Sequence, residues 1–139
     1  MLILDSTLLA ECLKPSPDPQ VGKWLATQDV ESAYTTSLAQ ADLLFGVQRL
    51  APGKRRTELA QAISDILDRF EGRILSFDPD AARAYPQIVL DRNLLGRPIS
   101  ETEAMIAAIT RSRGATLVTR HEHDFAGCGI RVVSPWASI

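Results

Sequence analysis

The chain begins with the segment Leu2-Ile-Leu-Asp5-Ser6-Thr7, in which a short apolar run ends at an acid. An apolar run of this length is consistent with a strand that is buried on both faces of a parallel sheet. Ser6 and Thr7 can open a helix that continues through Leu8, Leu9 and Cys12. A strand followed by a helix is therefore the first unit of the predicted fold.

The same alternation of strands and helices continues along the chain. Further strands are predicted at residues 33–36, 73–76 and 116–119, with a short fifth strand at 130–133. Helices are predicted to begin at Ser6, at Asp18-Pro19, at Ser37 and after Pro52-Gly53, and the last of these stops at Gly72. Two further helices are predicted to begin at Asp78-Pro79 and at Ser100; the first is disturbed at Pro86 and ends near Gly96, and the second ends at Gly114. This alternation predicts an α/β fold with a central, mostly parallel sheet, in one domain spanning residues 1–139.

Composition indicates an ordinary globular protein. The chain has 139 residues, of which 45% are hydrophobic and 23% charged, and this suits one core. No apolar run is long enough to span a bilayer, and the N-terminus lacks the basic and small-residue features of a signal peptide. We read Cys12 and Cys128 as reduced thiols, and we expect a cytoplasmic protein without membrane contact.

The charge balance does not by itself predict a nucleic-acid partner. The formal net charge is −2, whereas typical nucleic-acid binders are basic. One basic cluster is Lys54-Arg55-Arg56, and further arginines are scattered through the second half of the chain at positions 92, 97, 111, 113 and 120. Solvated helix faces would account for most of these residues equally well.

Acidic residues follow several of the predicted strands, at the edge where open α/β sheets bind ligands. Asp5 ends the first strand, Asp42 lies about one turn into the helix after the second, and Asp124 lies in the loop after 116–119. Glu103 lies in the first turn of the helix opened by Ser100. Clustered carboxylates repel one another, and a bound divalent cation removes that repulsion. Oxygen ligands suit Mg²⁺ or Mn²⁺, which can activate water for attack on a phosphate.

Each acid also has a purely structural interpretation. Ser100 and Glu103 have the spacing of a capping box, Asp124 can be a turn former, and Asp42 can be a favourable charge near a helix start. Asp5 is the hardest to explain by structure alone, because an acid at the end of an apolar strand usually has a functional role.

Segments along most of the chain, in order, resemble the PIN-domain toxins of the VapC and FitB-like branch. Leu-Ile-Leu-Asp5-Ser6-Thr7 resembles the family's strand ending in Asp-Thr-Asn, and Ala-Asp42-Leu-Leu-Phe-Gly46 resembles its Ala-Glu-Leu-x-x-Gly helix. The other matching segments are 50–56, Gly-Arg-Pro-Ile-Ser-Glu-Thr-Glu103 and Thr-Arg-His-Glu-His-Asp124-Phe, and the terminal Val133-Ser-Pro-Trp136 resembles the family's closing strand.

The resemblance implies a PIN-like three-layer α/β/α sandwich with four to five strands, and a Mg²⁺- or Mn²⁺-dependent endoribonuclease. By position, its catalytic acids would be Asp5, Asp42, Glu103 and Asp124, with Asp5, Glu103 and Asp124 as metal ligands. Ser6 and His121 would support the site, and Arg97 and Arg120, which flank the motifs, would bind RNA phosphates. The family further implies a toxin with a VapB-like antitoxin held near the helix pair 43–70, and a homodimer.

The sequence departs from the family pattern at several of these positions. Asp42 stands where the family usually has Glu, so its side chain is one methylene shorter. Glu103 stands where the family usually has Asp, so its side chain is one methylene longer. Thr7 and His121 stand where Asn is usual, and His121 and His123 are either nitrogen ligands or solvated loop residues. These departures favour, as an alternative, a PIN-fold binding module with weakened or lost nuclease activity. A phosphotransfer enzyme is disfavoured because no second Asp follows Asp5 at the required spacing.

Overall fold

The computed structural model describes residues 1–136, in which five β-strands and six α-helices are found. The strands are β1 (Leu2–Leu4), β2 (Thr35–Thr36), β3 (Ile74–Leu75), β4 (Thr116–Val118) and β5 (Arg131–Val133). The helices are α1 (Ser6–Cys12), α2 (Pro19–Ala26), α3 (Ser37–Gln48), α4 (Lys54–Asp68), α5 (Pro79–Leu94) and α6 (Glu101–Ser112), with short 3-10 helices at Val30–Ser32 and Glu122–Phe125. Residues 137–139, which the domain prediction included, lie outside the described part, so the single domain over 1–139 stays a prediction.

All strand pairs within residues 1–136 are parallel. β4 lies between β1 and β5, and β2 pairs with β3. Tyr34, directly before β2, forms a parallel bridge with Ile3, and the Leu4 N–H donates to the Tyr34 carbonyl over 2.7 Å. The strand order across the molecule is therefore β3-β2-β1-β4-β5, which confirms the prediction of a parallel sheet of four to five strands.

Alternate residues of the strands divide the core into two halves. Ile3 and Leu117 belong to a cluster with apolar residues of α5 and α6, whereas Leu4 and Val118 belong to a second cluster with residues of α1, α2, α3 and α4. Because successive strand side chains point to opposite faces of a sheet, the helices cover both faces. This arrangement is the three-layer α/β/α sandwich that was predicted.

Helix starts agree closely with the sequence, since caps depend on local hydrogen bonds. Asp18, Asp78 and Ser100 each accept a backbone N–H of the following first turn, as predicted. The cap of α3 is Thr36, whose hydroxyl accepts the Ala39 N–H over 3.1 Å, and not Ser37. Ser37 is already helical because the extended residue before it supplies the cap.

One predicted helix end was inaccurate. The helix α4 ends at Asp68, before Gly72, whose φ of +76° completes a turn after the helix. The helix α5 continues past Pro86 and ends at Leu94, which confirms the predicted end near Gly96. The carbonyl of Ala82, four residues before Pro86, loses its helical partner at a proline, but Ala82 is exposed and water can bond to it. Within residues 1–136, no helix combines the length and the apolar character needed to cross a membrane.

Candidate functional site

Asp5 and Thr119 meet at the carboxyl edge of the central strands. Leu4 of β1 is in register with Val118 of β4, so the next residue of each strand emerges side by side. The Thr119 hydroxyl donates to Asp5 Oδ2 over 2.8 Å, and the Asp5 N–H donates to the Val118 carbonyl over 3.0 Å. Thr119 is fully buried and Asp5 is 8% exposed, so this bond is made away from water.

A second threonine completes a hydroxyl network around Asp5. The Thr7 hydroxyl lies 3.4 Å from both Asp5 Oδ2 and the Thr119 hydroxyl. The Arg120 N–H donates to the Thr7 hydroxyl over 3.1 Å, and the His121 N–H donates to the Thr119 hydroxyl over 3.2 Å. The network therefore fixes the Asp5 carboxylate relative to the loop that follows β4. Neither threonine was predicted as a site residue, although each lies in a segment that was matched to the family.

The buried Asp5 carboxyl binds its proton more tightly than an exposed carboxyl does. Desolvation raises the pKa of Asp5 above its ordinary value of 3.8, and the negative charge of Asp42 raises it further. Hydrogen bonds from Thr119, the Ser6 N–H and Thr7 oppose this rise without cancelling it. Ser6 thus acts on Asp5 through its backbone. The charged form of Asp5 is disfavoured, and a neighbouring cation would stabilise it.

Asp42 and Glu103 lie near the starts of two helices, α3 and α6. A helix that follows a parallel strand begins at the strand's carboxyl end, which places the start of α3 here. Asp42 is exposed on α3 and is close enough to act on the pKa of Asp5. Glu103 is half-buried in the first turn of α6, and its Oε1 accepts the Ser100 hydroxyl over 2.8 Å. The capping interaction proposed for Ser100 and Glu103 is therefore present.

Asp124 lies in the 3-10 helix Glu122–Phe125, which packs against α6. Its side chain is exposed, while its backbone carbonyl is bonded to the guanidinium of Arg92. Arg92 is buried on α5 and was not predicted as a site residue. Its signal in the sequence is weak, because an arginine in an amphipathic helix is usually solvated.

Two of the four acids interact with each other, and a third acts on the segment that follows the fourth. Asp5 and Asp42 interact, and Glu103 acts electrostatically on Cys128 in the segment after Asp124. Within residues 1–136, however, no three His, Cys, Asp or Glu side chains stand close enough to hold one metal ion. Joint metal binding by Asp5, Glu103 and Asp124 therefore stays a prediction.

The two predicted RNA-binding arginines flank this edge. Arg97 is exposed and donates to the His123 carbonyl over 3.1 Å. Arg120 lies over the Trp136 ring, 5.3 Å from its centroid, and 3.8 Å from the carboxylate of Glu11. Arg97 is thus held next to the 3-10 helix that carries Asp124, and Arg120 is held next to Glu11 on α1. The His121 side chain is exposed.

Glu11, which anchors Arg120, is itself a buried carboxylate on α1. Burial raises its pKa, but bonds from the Trp136 indole N–H at 3.1 Å, Lys14 at 3.1 Å and the Asp18 N–H at 3.2 Å outweigh that effect. The net pKa of Glu11 is lowered, so this carboxylate stays ionised. It therefore provides a permanent negative partner for Arg120.

An apolar groove of about 830 Å³ lies on the side of the molecule formed by α1, α2 and the end of α4. Its walls include Leu9, Leu25, Ile66 and Phe70, with Arg69 and Arg73 among the polar lining. The prediction placed such a groove at the helix pair 43–70. Of that pair, the end of α4 lines this groove, and a separate cleft of about 500 Å³ lies between α3 and α4, where its lining includes Val47, Arg56 and Ala60.

Large apolar side chains are also exposed on α3 and at the end of α5. They are Leu44 and Phe45, and Leu90, Leu94 and Leu95, of which Leu94 is 87% exposed. Exposed apolar side chains that lie together can form a contact surface for another protein.

Comparisons with known proteins agree with this geometry. The sequence model of the PIN domain matches residues 2–127. Toxin FitB of Neisseria gonorrhoeae is 33% identical over 137 residues, covering 98% of this chain and 99% of that protein. The VapC ribonuclease Y4jK of Sinorhizobium fredii is 31% identical over 137 residues, covering 98% of each chain.

Solved structures show the same fold. The crystal structure of FitAcB from Neisseria gonorrhoeae superposes with a TM-score of 0.92 at 32% identity, covering 99% of this chain and 100% of that one. A toxin–antitoxin complex from Klebsiella pneumoniae superposes with a TM-score of 0.73 over 99% of this chain and 100% of that one. Its identity of 18% supports a similarity of fold alone.

Proposed function

Because this chain belongs to the PIN-domain family, in the branch of the VapC and FitB-like toxins, we propose that it is a metal-dependent endoribonuclease and the toxin of a VapBC-type pair. The observation that carries this proposal is the buried Asp5 carboxylate at the edge of the sheet, with the charge of Asp42 beside it. A carboxylate that is buried next to a second negative charge is disfavoured in its charged form, and a bound cation would offset both effects.

The donor chemistry of this edge fits a divalent cation. Asp5, Asp42, Glu103 and Asp124 offer only oxygen ligands, which Mg²⁺ and Mn²⁺ prefer. Asp5 would gain most from the ion, because burial raises its pKa and so disfavours its charge. Asp5, Glu103 and Asp124 would hold the ion, and Asp42 would complete the shell directly or through water. Glu103 would then turn its carboxylate away from Ser100.

When bound, the ion would lower the pKa of an attacking water and balance charge that develops on the phosphate. The residues of the chain would do the remaining work. Thr119 and Thr7 hold the Asp5 carboxylate by hydrogen bonds, and burial of Asp5 keeps bulk water from competing for it. Ser6 supports Asp5 through its backbone N–H, and His121 would contact the substrate from the loop after β4.

Arg97 and Arg120 would bind the phosphates on either side of the cleaved bond. A guanidinium can donate two parallel hydrogen bonds to a phosphate. Before RNA binds, contact with the His123 carbonyl positions Arg97, and contact with the Glu11 carboxylate positions Arg120. Replacement of Arg120 with Gln should raise KM for RNA and leave kcat nearly unchanged. A fall in kcat with an unchanged KM would contradict a role in phosphate binding.

The proposed partner is a VapB-like antitoxin that lays an apolar segment into the groove between α1, α2 and the end of α4. Helix-in-groove recognition needs an apolar floor with a few charges at the rim, and Leu25, Ile66 and Arg69 provide both. We also propose a homodimer through the exposed apolar side chains of α3 and α5, and a cytoplasmic location, where the thiols Cys12 and Cys128 stay reduced.

The deciding experiment is cleavage of a structured RNA pool by purified protein with Mg²⁺, with Mn²⁺ and with EDTA. Asp5→Asn should abolish the cleavage, while Asp68→Asn, an exposed acid at the end of α4, should leave it intact. Cleavage that survives EDTA, or that Asp5→Asn leaves unchanged, would refute the metal-dependent mechanism.

A PIN-fold binding module that holds RNA or antitoxin without cutting is the second candidate. It is favoured by the bond between Glu103 and Ser100, which takes that carboxylate out of a shared ligand set. Tight RNA binding by folded protein free of antitoxin, with no cleavage under either metal, would support the binding module.

A further inference from the structure

Arg92 is a buried cation that donates hydrogen bonds to three backbone carbonyls and to Cys128 Sγ, 3.7 Å away. Its side chain is on α5, and the residue is only 4% exposed. Nε donates to the Arg97 carbonyl over 2.7 Å, and Nη1 donates to the carbonyls of Asp124 over 2.5 Å and Ala126 over 3.1 Å. Among the salt bridges found within residues 1–136, none involves Arg92.

A guanidinium in this position connects two separate segments of the chain. Burying its charge is unfavourable, and charge-assisted bonds to several carbonyl dipoles offset that cost. Because the guanidinium is a planar fork, its bonds also fix the directions of the groups that it contacts. The Arg92 guanidinium therefore sets the position of the segment around Arg97 relative to the segment 124–126.

The segment after Asp124 is packed directly onto the end of α5. Gly127 has a φ of +77°, and a Cβ atom there would lie 2.6 Å from Leu95 Cδ1 and 3.7 Å from Arg92 Cδ. On the other side, the Arg97 N–H donates to the Arg92 carbonyl over 3.0 Å. Arg92 thus contacts both segments by its side chain and one of them also by its backbone.

We propose that Arg92 is a positioning residue, which fixes the Asp124 carboxylate and the Arg97 guanidinium at the edge of the sheet by tethering both segments to α5. The proposal rests on the function proposed above only for the roles of Asp124 and Arg97. Arg92 itself touches no substrate, since its guanidinium lies beneath the backbone of the segments that it holds. Loss of the tether should release Asp124 and weaken metal binding.

The test compares Arg92→Met and Arg92→Lys with the wild-type protein. Hydrogen exchange of the backbone amides of residues 121–129 is measured without metal, and Mn²⁺ affinity is measured by calorimetry. Arg92→Met should speed exchange in this segment and weaken Mn²⁺ binding about 10- to 100-fold, the effect typical of losing a residue that orients a ligand. Arg92→Lys keeps the charge but lacks the fork, so it should behave like Arg92→Met.

Ile88→Val is the matched control, because Ile88 is fully buried on the same helix and makes no contact of this kind. It should leave exchange at 121–129 and Mn²⁺ affinity as in the wild type. The proposal is overturned if Arg92→Met resembles Ile88→Val in both readouts, or if Arg92→Lys fully restores them, since charge alone would then suffice. Hydrogen exchange tests whether Arg92 holds residues 121–129 even if the wild-type protein cuts no RNA. Failure of the positioning role can therefore be distinguished from failure of the proposed nuclease.

Discussion

The hydroxyl of Thr119 donates to the carboxylate of Asp5 over 2.8 Å, between residues that end two neighbouring parallel strands. Thr119 has no exposed surface, and its oxygen also accepts the His121 N–H. One buried hydroxyl therefore connects the central acid of the site with the loop that carries His121 and Asp124. The proton affinity of Asp5 depends directly on this bond.

Removal of this hydroxyl should shift the pH dependence of cleavage. Thr119→Val keeps the shape of the side chain but loses the bond that lowers the pKa of Asp5, so the acidic limb of kcat/KM should move to higher pH. Stability should fall by about 1–3 kcal/mol, because the Asp5 oxygen and the His121 N–H lose a partner. Thr119→Ser retains the hydroxyl and should keep the wild-type profile. An unshifted limb in Thr119→Val would show that Asp5 does not control it.

Asp5→Asn should stabilise the metal-free protein at neutral pH. The pKa of Asp5 is raised in the folded state, so the folded protein binds the proton more tightly than the unfolded chain, whose value is near 3.8. Stability from this group is present below that pH and is lost as pH rises through the raised value. Thermal unfolding in EDTA should show a higher Tm for the variant at pH 7, by about 2–4 °C for each kcal/mol, and no difference near pH 3.

Added Mg²⁺ should reverse this order, because the ion stabilises only a protein that can bind it. The wild-type Tm should rise with Mg²⁺ concentration while the Asp5→Asn Tm stays constant. Equal responses of the two proteins to Mg²⁺ would place the ion elsewhere.

Asp42 and Glu103 should compensate each other. Mg²⁺ demands near-ideal octahedral geometry, so the single variant Asp42→Glu, which lengthens its side chain, and the single variant Glu103→Asp, which shortens its side chain, should each lower kcat/KM about 10-fold. In the double variant Asp42→Glu/Glu103→Asp, the total reach is conserved, and activity should return to within about 3-fold of the wild type. Cleavage rates of the four proteins form a double-mutant cycle. Additive losses would show that the two positions do not share an ion.

A bulky residue in the groove should block the antitoxin without affecting catalysis. Ala26 lies in the groove at the end of α2, so Ala26→Trp should weaken binding to the antitoxin encoded beside this gene by at least about 10-fold, or 1.4 kcal/mol. Ala82→Trp, at an exposed position of α5, is the control and should bind normally. Equal affinities, measured by calorimetry with folded proteins, would exclude this groove as the binding surface.

Local features of this protein were predictable from its sequence. The parallel sheet followed from short apolar runs that alternate with helical segments, and Asp18, Asp78 and Ser100 were recognised as caps because a cap bonds within its own first turn. The position of Asp5 at a strand end was equally local. The order of the matched segments indicated the family, which the comparisons confirm.

Tertiary structure alone decided which side chains meet. Thr119 lies 114 positions from Asp5 in the chain, and the two are adjacent only because β1 and β4 pair in one register. Arg92 bonds to the carbonyl of Asp124, 32 positions away, and the groove is formed by α1, α2 and the end of α4 together. Periodicity and capping describe interactions over a few residues, whereas strand register and helix packing set these long-range contacts, and they leave no local pattern in the sequence.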